Sequence, residues 1–372
     1  METLHRLQYL RGLAALVVVL SHALMKLDRI AEIQGWPPLG LSIDGTFGVD
    51  IFFVISGFLM CTTAAPEFGA SGAVGRFILR RVIRIVPLYW LFILVEVGLR
   101  VANPAAAGQR FGSEEVLLSL AFIPYGLQDG IFRPVVGLGW SLDYEMLFYA
   151  IFAFGLILRR DVGLVLISAA LGLLVLVGHA GQPSGTLAVA WTAPILLEFL
   201  LGVGLGRLYL LARERGWSLR LPAPFLLAIA LVVLESLLLP ANDREALGWR
   251  PLHWALAAMI VALTAFAAPN RHAEASAAGR LLRALGDSSY SLYLSHPVTL
   301  TVTARIWITL GFGEASLPAY FALAVLASVA VGWLVHLAVE KPLLARLMGR
   351  RAPPGSRPGD GVSLVPRERL VG

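Results

Sequence analysis

Apolar residues come in runs of about 20, separated by short polar stretches in which arginine recurs. A run of that length, wound as a helix at 1.5 Å per residue, crosses the roughly 30 Å of bilayer hydrocarbon. Ten such spans are predicted, over 7–27, 47–65, 82–102, 138–158, 161–179, 188–210, 220–239, 252–268, 288–310 and 317–339. Residues 114–126 (EEVLLSLAFIPYG) are too short to span and read as an interfacial or re-entrant helix. The pattern predicts an all-α polytopic membrane protein with no soluble domain and no internal repeat.

Composition strengthens this reading. Hydrophobic residues make up 58% of the 372, and charged residues only 15%, against about a quarter charged in ordinary soluble domains. The single cysteine, Cys61, excludes a disulfide framework. The net charge of +6 raises the question of nucleic acid, but the basic residues lie between apolar runs rather than on a soluble face. They therefore read as membrane orientation signals, and no nucleic-acid partner is expected.

With the N-terminus inside, 22 of the 30 lysines and arginines fall on the cytoplasmic side. The positive-inside rule then places both termini in the cytoplasm. Residues 1–23 have the outline of a signal peptide, with Ser21-His22-Ala23 as a small-x-small site. Arg11 lies deep for such a signal, and the segment is taken as a retained first span. Residues 1–345 are expected to form the transmembrane domain. Residues 346–372, rich in Pro, Gly and Arg, are expected to be a disordered cytoplasmic tail.

Ionisable residues inside hydrocarbon cost several kcal/mol, so each needs a partner or a purpose. Arg11 and His22 share one face of the first span, about 16 Å apart along the axis, with His22 in the outer half. The plain alternative is that Arg11 snorkels to the inner interface and His22 only packs. Asp50 enters the second span from outside at the depth of His22. A carboxylate there could orient the imidazole as a general base, or simply favour a helix N-terminus. In GWSLDYEMLFY, Ser141 and Glu145 stand at i and i+4 beside Trp140 and Tyr144, and Asp143 faces away from Glu145 and is the alternative pore-facing carboxylate. The two aromatics alone would suit an interfacial belt, which leaves Glu145 unexplained.

On the inner side Arg80, Arg81 and Arg84 open the third span. They read as anchoring charge, or Arg81 and Arg84 read as paired forks for a phosphorylated carrier. His336 and Glu340 close the tenth span at the same level. In SYSLYLSHP, Pro297 frees the carbonyl of Tyr293, and His296 is either part of a kinked helix or pore-lining.

These segments together resemble the acyltransferase-3 family of membrane-bound O-acyltransferases. They are LQYLRGLAALVVVLSHA, GVDIFFVISGFLM, RRVIRIVPLYW, GWSLDYEMLFY, SYSLYLSHP and VEKP, running from about residue 8 to 342. Their order and spacing carry the resemblance, which is strongest at the start to the exopolysaccharide-modifying branch. It implies a ten-helix domain in a bacterial inner membrane. Acyl-coenzyme A, acetyl-CoA foremost, would be the cytoplasmic co-substrate, with no permanently bound cofactor, and a cell-surface or lipid-linked glycan the acceptor. It also implies His22 as catalytic base with Asp50 as partner, and Arg81 and Arg84 as donor-binding residues. Arg11, Glu145 and Glu340 would line the polar path, and the pattern of the spans adds Trp140, Ser141 and His296 as candidates for the path or the acceptor site.

Some family members carry an added C-terminal esterase-like domain, which is not expected in a chain of this length. Neither a Gly-x-Ser-x-Gly elbow nor a His-Glu-x-x-His zinc motif occurs, and no metal is expected. A secondary transporter or glycan flippase could use the same buried charges as a proton relay; its expected marks, paired repeats with broken helices, are not visible. A sensor is the third reading. The pattern specifies no oligomeric state.

Overall fold

The computed structural model describes residues 2–102, 111–127, 132–216, 250–267 and 275–349, with isolated positions 230, 231 and 248. Within these the fold is helical and without strands. The chain opens with α1 (Glu2–Gln34), α2 (Gly45–Thr63), α3 (Ala73–Ala102) and the short α4 (Ser113–Leu120). Next come α5 (Gly139–Gly155), α6 (Arg160–Gly181), α7 (Thr186–Trp191) and α8 (Leu196–Glu214). The last group is α9 (Pro251–Phe266), α10 (Ala277–Asp287), α11 (Ser289–Thr309), α12 (Leu317–Val335) and α13 (Lys341–Leu347). A π-helical turn, His336–Glu340, joins α12 to α13.

Nine of the ten expected spans fall on helical segments, the sixth on two, and the seventh, 220–239, lies outside the described residues but for positions 230 and 231, as does the tail from residue 350. Six segments are long and apolar enough to cross a membrane: Arg6–Gln34, Gly45–Thr63, Ala73–Ala102, Arg160–Gly181, Thr186–Glu214 and Glu314–Leu347. The protein is a multi-pass membrane protein. Side chains such as Leu94, Val165, Leu173 and Leu326 stand exposed on its outer surface, where hydrocarbon rather than water would solvate them.

Local chemistry sets the boundaries. Asp44 caps α2 by accepting from the Thr46 amide at 2.8 Å, which satisfies one orphan N–H of the first turn. Ser276 caps α10 by accepting from Gly279 N at 3.0 Å. The expected sixth span, 188–210, is broken: α7 stops at Trp191 and α8 resumes at Leu196. Pro194 has no amide to donate, so the ladder cannot run through it. The break puts Glu198 in the first turn of α8.

α2 is the central helix. It packs most extensively on α8 and also on α1 and α9. At the α2–α8 crossing, a Cβ on Gly57 would meet Phe199 O at 2.2 Å, and one on Gly202 would meet Val54 O at 2.2 Å. The backbones approach so closely that no side chain fits between them, the small-residue packing of membrane helices. α1 in turn touches α9, α10, α11 and α12, so residues of α1 face both α2 and α11.

Candidate active site

α1 and α11 bring two histidines together. His22 Nδ1 lies 2.8 Å from His296 Nε2, and the rings stack at 5.1 Å with an interplanar angle of 21°. His296 is fully buried, and its Nδ1 lies 3.0 Å from the carbonyl oxygen of Leu292. A carbonyl offers only lone pairs, so His296 Nδ1 carries the proton and, in a neutral ring, Nε2 accepts. His22 Nδ1 must then donate. This leaves the lone pair on His22 Nε2, which has no protein partner among the described residues. His22 itself is half-buried. An oriented imidazole with an open basic nitrogen is what general-base chemistry requires.

A polar line continues from this pair along α11 and α5. Tyr293, one turn before His296, shares a 2.8 Å hydrogen bond with Ser141 Oγ, and Ser141 also donates to Leu138 O at 3.0 Å. Glu145, one turn further along α5, accepts from Ser56 Oγ of α2 at 3.3 Å and from the Tyr149 hydroxyl. Arg11 donates to Gln8 Oε1 at 3.3 Å and couples electrostatically to Arg84, Glu145 and Glu340. Trp140 is buried, its ring edge-on to Phe53 and Tyr144, so it packs the core rather than joining an interfacial belt.

The other end is built on Glu340, which the π-turn holds 1% exposed. Its carboxylate pairs with Arg84 Nη1 at 2.8 Å, accepts from Ser291 Oγ at 2.6 Å and lies 2.8 Å from His336 Nδ1. π-turns recur at functional sites. The three arginines of α3 have separate situations. Arg80 pairs with Glu67 at 2.5 Å, and Arg84 is committed to Glu340. Arg81 has no carboxylate partner among the described residues, and its guanidinium lies 5.6 Å from the Phe77 ring and 5.7 Å from that of Tyr149.

Asp50 does not sit at His22 Nδ1, where His296 stands. It joins a separate buried group. Arg250 bonds Asp44 and Thr46 and lies 3.7 Å from Asp50 Oδ2, while His253 Nε2 is 3.7 Å from Asp44. Glu198 of α8 is fully buried near Asp50, Arg250 and Trp254, and neither of its carboxylate oxygens has a hydrogen-bond partner among the described residues. Asp143, also buried, has no hydrogen-bond partner for Oδ1. Among the described residues no group of three or more His, Cys, Asp or Glu side chains is placed to hold a metal ion.

The family model for an acyltransferase domain, acyltransferase-3, matches residues 4–337. The chain belongs to the acyltransferase-3 family. It is 33% identical over 318 residues to the exopolysaccharide production protein ExoZ of Rhizobium meliloti, covering 84% of this chain and 93% of that one. It is also 27% identical over 397 residues, 96% of each chain, to the acyltransferase MdmB of Streptomyces mycarofaciens. No solved structure matches.

The protein is therefore an acyltransferase, and the matched stretch holds both histidines, the α3 arginines and the α5 polar line. Glu340 lies just beyond it. Three members of the buried polar groups escaped the sequence reading. Glu198 sits in the apolar run EFLLGVGLG, where a lone carboxylate was itself the signal. Arg250 and Asp44 each stand just before a span, where a loop cation and a helix cap are ordinary.

Proposed function

We propose that this acyltransferase moves an acyl group, acetyl foremost, from cytoplasmic acyl-coenzyme A to a hydroxyl of a cell-surface or lipid-linked glycan, working in a bacterial inner membrane with both termini cytoplasmic. The observation that carries the proposal is the His22–His296 pair inside a chain of this family. The likeness to a protein named for exopolysaccharide production supports the glycan acceptor. Arg81, with no carboxylate of its own, takes the donor phosphates, and Arg84 completes that mouth through Glu340.

His22 Nε2 removes the proton from the sugar hydroxyl as its oxygen attacks the thioester carbonyl. The tetrahedral adduct collapses, the C–S bond breaks, and the coenzyme A thiolate leaves with the proton from His22. His296 keeps the reactive tautomer in place throughout. Arg11, Ser141 and Glu145 line the path between the donor mouth and the histidines, walled by Trp140, and Asp50 steadies α2 through Arg250.

His22→Gln keeps a side chain of similar bulk and hydrogen bonding but no useful base. Purified in detergent and supplied with acetyl-CoA and glycan acceptors, the variant should transfer about 10²–10⁴-fold more slowly and still bind donor. Wild-type rates from the variant would make His22 structural. Wild-type protein that never frees coenzyme A from acetyl-CoA would favour a transporter.

A further inference from the structure

Three polar atoms near the start of α5 are buried and unpartnered among the described residues, and the transfer chemistry above uses none of them. They are Asp143 Oδ1 and the hydroxyl oxygens of Tyr89 and Tyr144. The three residues are 5%, 0% and 2% exposed. Both tyrosines lie within electrostatic reach of Asp143. So does Tyr125, which shares a 2.8 Å hydrogen bond with Ser119. No cation acts on Asp143 among the described residues. A carboxylate buried without a donor is costly, and so, to a lesser degree, is each phenol.

The surroundings hold these atoms in place. Gly139 and Asp143 stand at i and i+4 on one face of α5. The Tyr89 hydroxyl fills the space beside Gly139, where a Cβ would overlap it. Aromatic rings flank the group: Phe122 lies 4.9 Å from Tyr89, and Trp140 and Phe132 lie 6.2 and 6.4 Å from Tyr144. Phe122 is only partly buried and has a left-handed backbone, φ 57°, which is strained for a bulky residue. Tyr89 is also within electrostatic reach of Tyr293, whose ring is 6.3 Å from that of His296. Ser141, which bonds Tyr293, points about 200° around α5 from Asp143. The orphaned group therefore adjoins the histidine pair without sharing a residue with it.

The unmet atoms define what would satisfy them. A carboxylate accepts only, whereas a phenol hydroxyl donates and accepts. A lone cation would answer Asp143 but not the phenol protons. Adjacent hydroxyls on a ring with apolar C–H faces answer all three and fit among aromatic side chains. We propose that Asp143, Tyr89 and Tyr144 form a subsite for a neutral sugar of the acceptor, the unit next to the one acylated at His22. Asp143 accepts from the sugar hydroxyls, the two phenols donate to its oxygens, and Phe122 moves aside to admit it. Such a site rejects a sugar that lacks the matching hydroxyls, because its buried groups would stay unpaired, so this group sets acceptor specificity. The inference rests on the proposed transfer to a glycan.

Binding of methyl glucoside, methyl galactoside and methyl mannoside is measured by isothermal titration on the full-length protein in detergent, with acetyl-CoA titrated separately. Wild type should bind at least one glycoside, and D143N, Y89F and Y144F should each weaken that binding about tenfold. Each variant alters a group that has no protein partner, so its melting temperature should hold or rise, and acetyl-CoA should bind all four proteins equally. Y89F is the sharpest of the three, since it keeps the ring and loses only an unbonded oxygen. Glycoside affinity unchanged in Y89F and D143N, a lowered melting temperature in D143N, or no glycoside bound by wild type would overturn the subsite. Wild type that binds a glycoside as expected yet never frees coenzyme A from acetyl-CoA would overturn the transfer reading and leave the subsite standing.

Discussion

The two histidines divide a single task. His22 carries the open nitrogen, and His296 determines which nitrogen that is, through the proton it must keep for Leu292 O. His296→Leu removes the acceptor and frees the His22 ring to flip its tautomer. Transfer should fall about tenfold or more, less than for His22→Gln, with KM for acetyl-CoA unchanged; steady-state kinetics on both variants checks the order. The α3 arginines separate in the same way. Arg81→Ala should weaken acetyl-CoA binding about tenfold and leave the melting temperature alone. Arg84→Ala leaves the buried Glu340 carboxylate with Ser291 and His336 but without its arginine, so its first effect should be a lower melting temperature. Isothermal titration and thermal unfolding in detergent distinguish the two outcomes. His22 was legible as an ionisable residue out of place in an apolar run, Arg81 and Arg84 as cations opening a span, and Glu340 as a carboxylate closing one. The pairing was not. Counting residues fixes how deep a side chain lies, so Asp50 matched His22 in depth. It says nothing of where around the bundle each helix stands, and that angle hands His22 to His296 and Asp50 to Arg250.

At the scale of elements, the α2–α8 crossing holds the two buried polar groups in register. α2 carries Asp50 near its start and Ser56 one and a half turns on, while α8 supplies Glu198. Their closest approach is at Gly57 and Gly202. Gly202→Leu would drive a side chain into the Val54 carbonyl and separate the helices, so little folded protein should survive extraction, by size-exclusion profile in detergent. Gly204→Leu, two residues on and with nothing near its Cβ position, should behave as wild type. A wild-type profile for Gly202→Leu would mean that the crossing is loosely packed. The sequence showed glycines in both helices without indicating which of them face each other. The break at Pro194 was visible as a proline, but the span around it read as continuous because its apolar residues fall on both sides of the interruption. Helix existence follows from local composition; the partner of each helix follows from contacts between residues far apart in the chain.

For the whole molecule, the helices richest in chemistry give the weakest membrane signal. α5, at 17 residues, carries Ser141, Asp143 and Glu145, and α11 carries Ser291, Tyr293, Ser295 and His296. Neither is among the six segments that qualify by length and hydropathy. Both can be polar because the bundle shields them: most of the first half of α11, from Ser289 to His296, is buried. They were nevertheless readable as spans because their polar residues interrupt long apolar runs without ending them. Orientation then decides which face meets which substrate. Arg81, Arg84 and Glu340 lie at one end of the bundle and Lys26, Arg29 and Arg305 at the other, and the proposed orientation, which puts 22 of the 30 basic residues inside, would turn the first end to the cytoplasm. Reporter fusions after residues 70, 160, 214 and 275 should therefore report cytoplasm, and fusions near 35, 108 and 243 the far side. The fusion at 214 is the most informative. It follows α7 and α8, which the break at Pro194 could leave either as one crossing or as two half-helices entering from the same side. A cytoplasmic signal at 214 makes them one crossing and keeps the donor arginines and Arg305 on opposite faces. A far-side signal there would break the ten-span order, because α11 would then have to start from the far side, whereas its His22–His296 contact with α1 has the two helices running side by side.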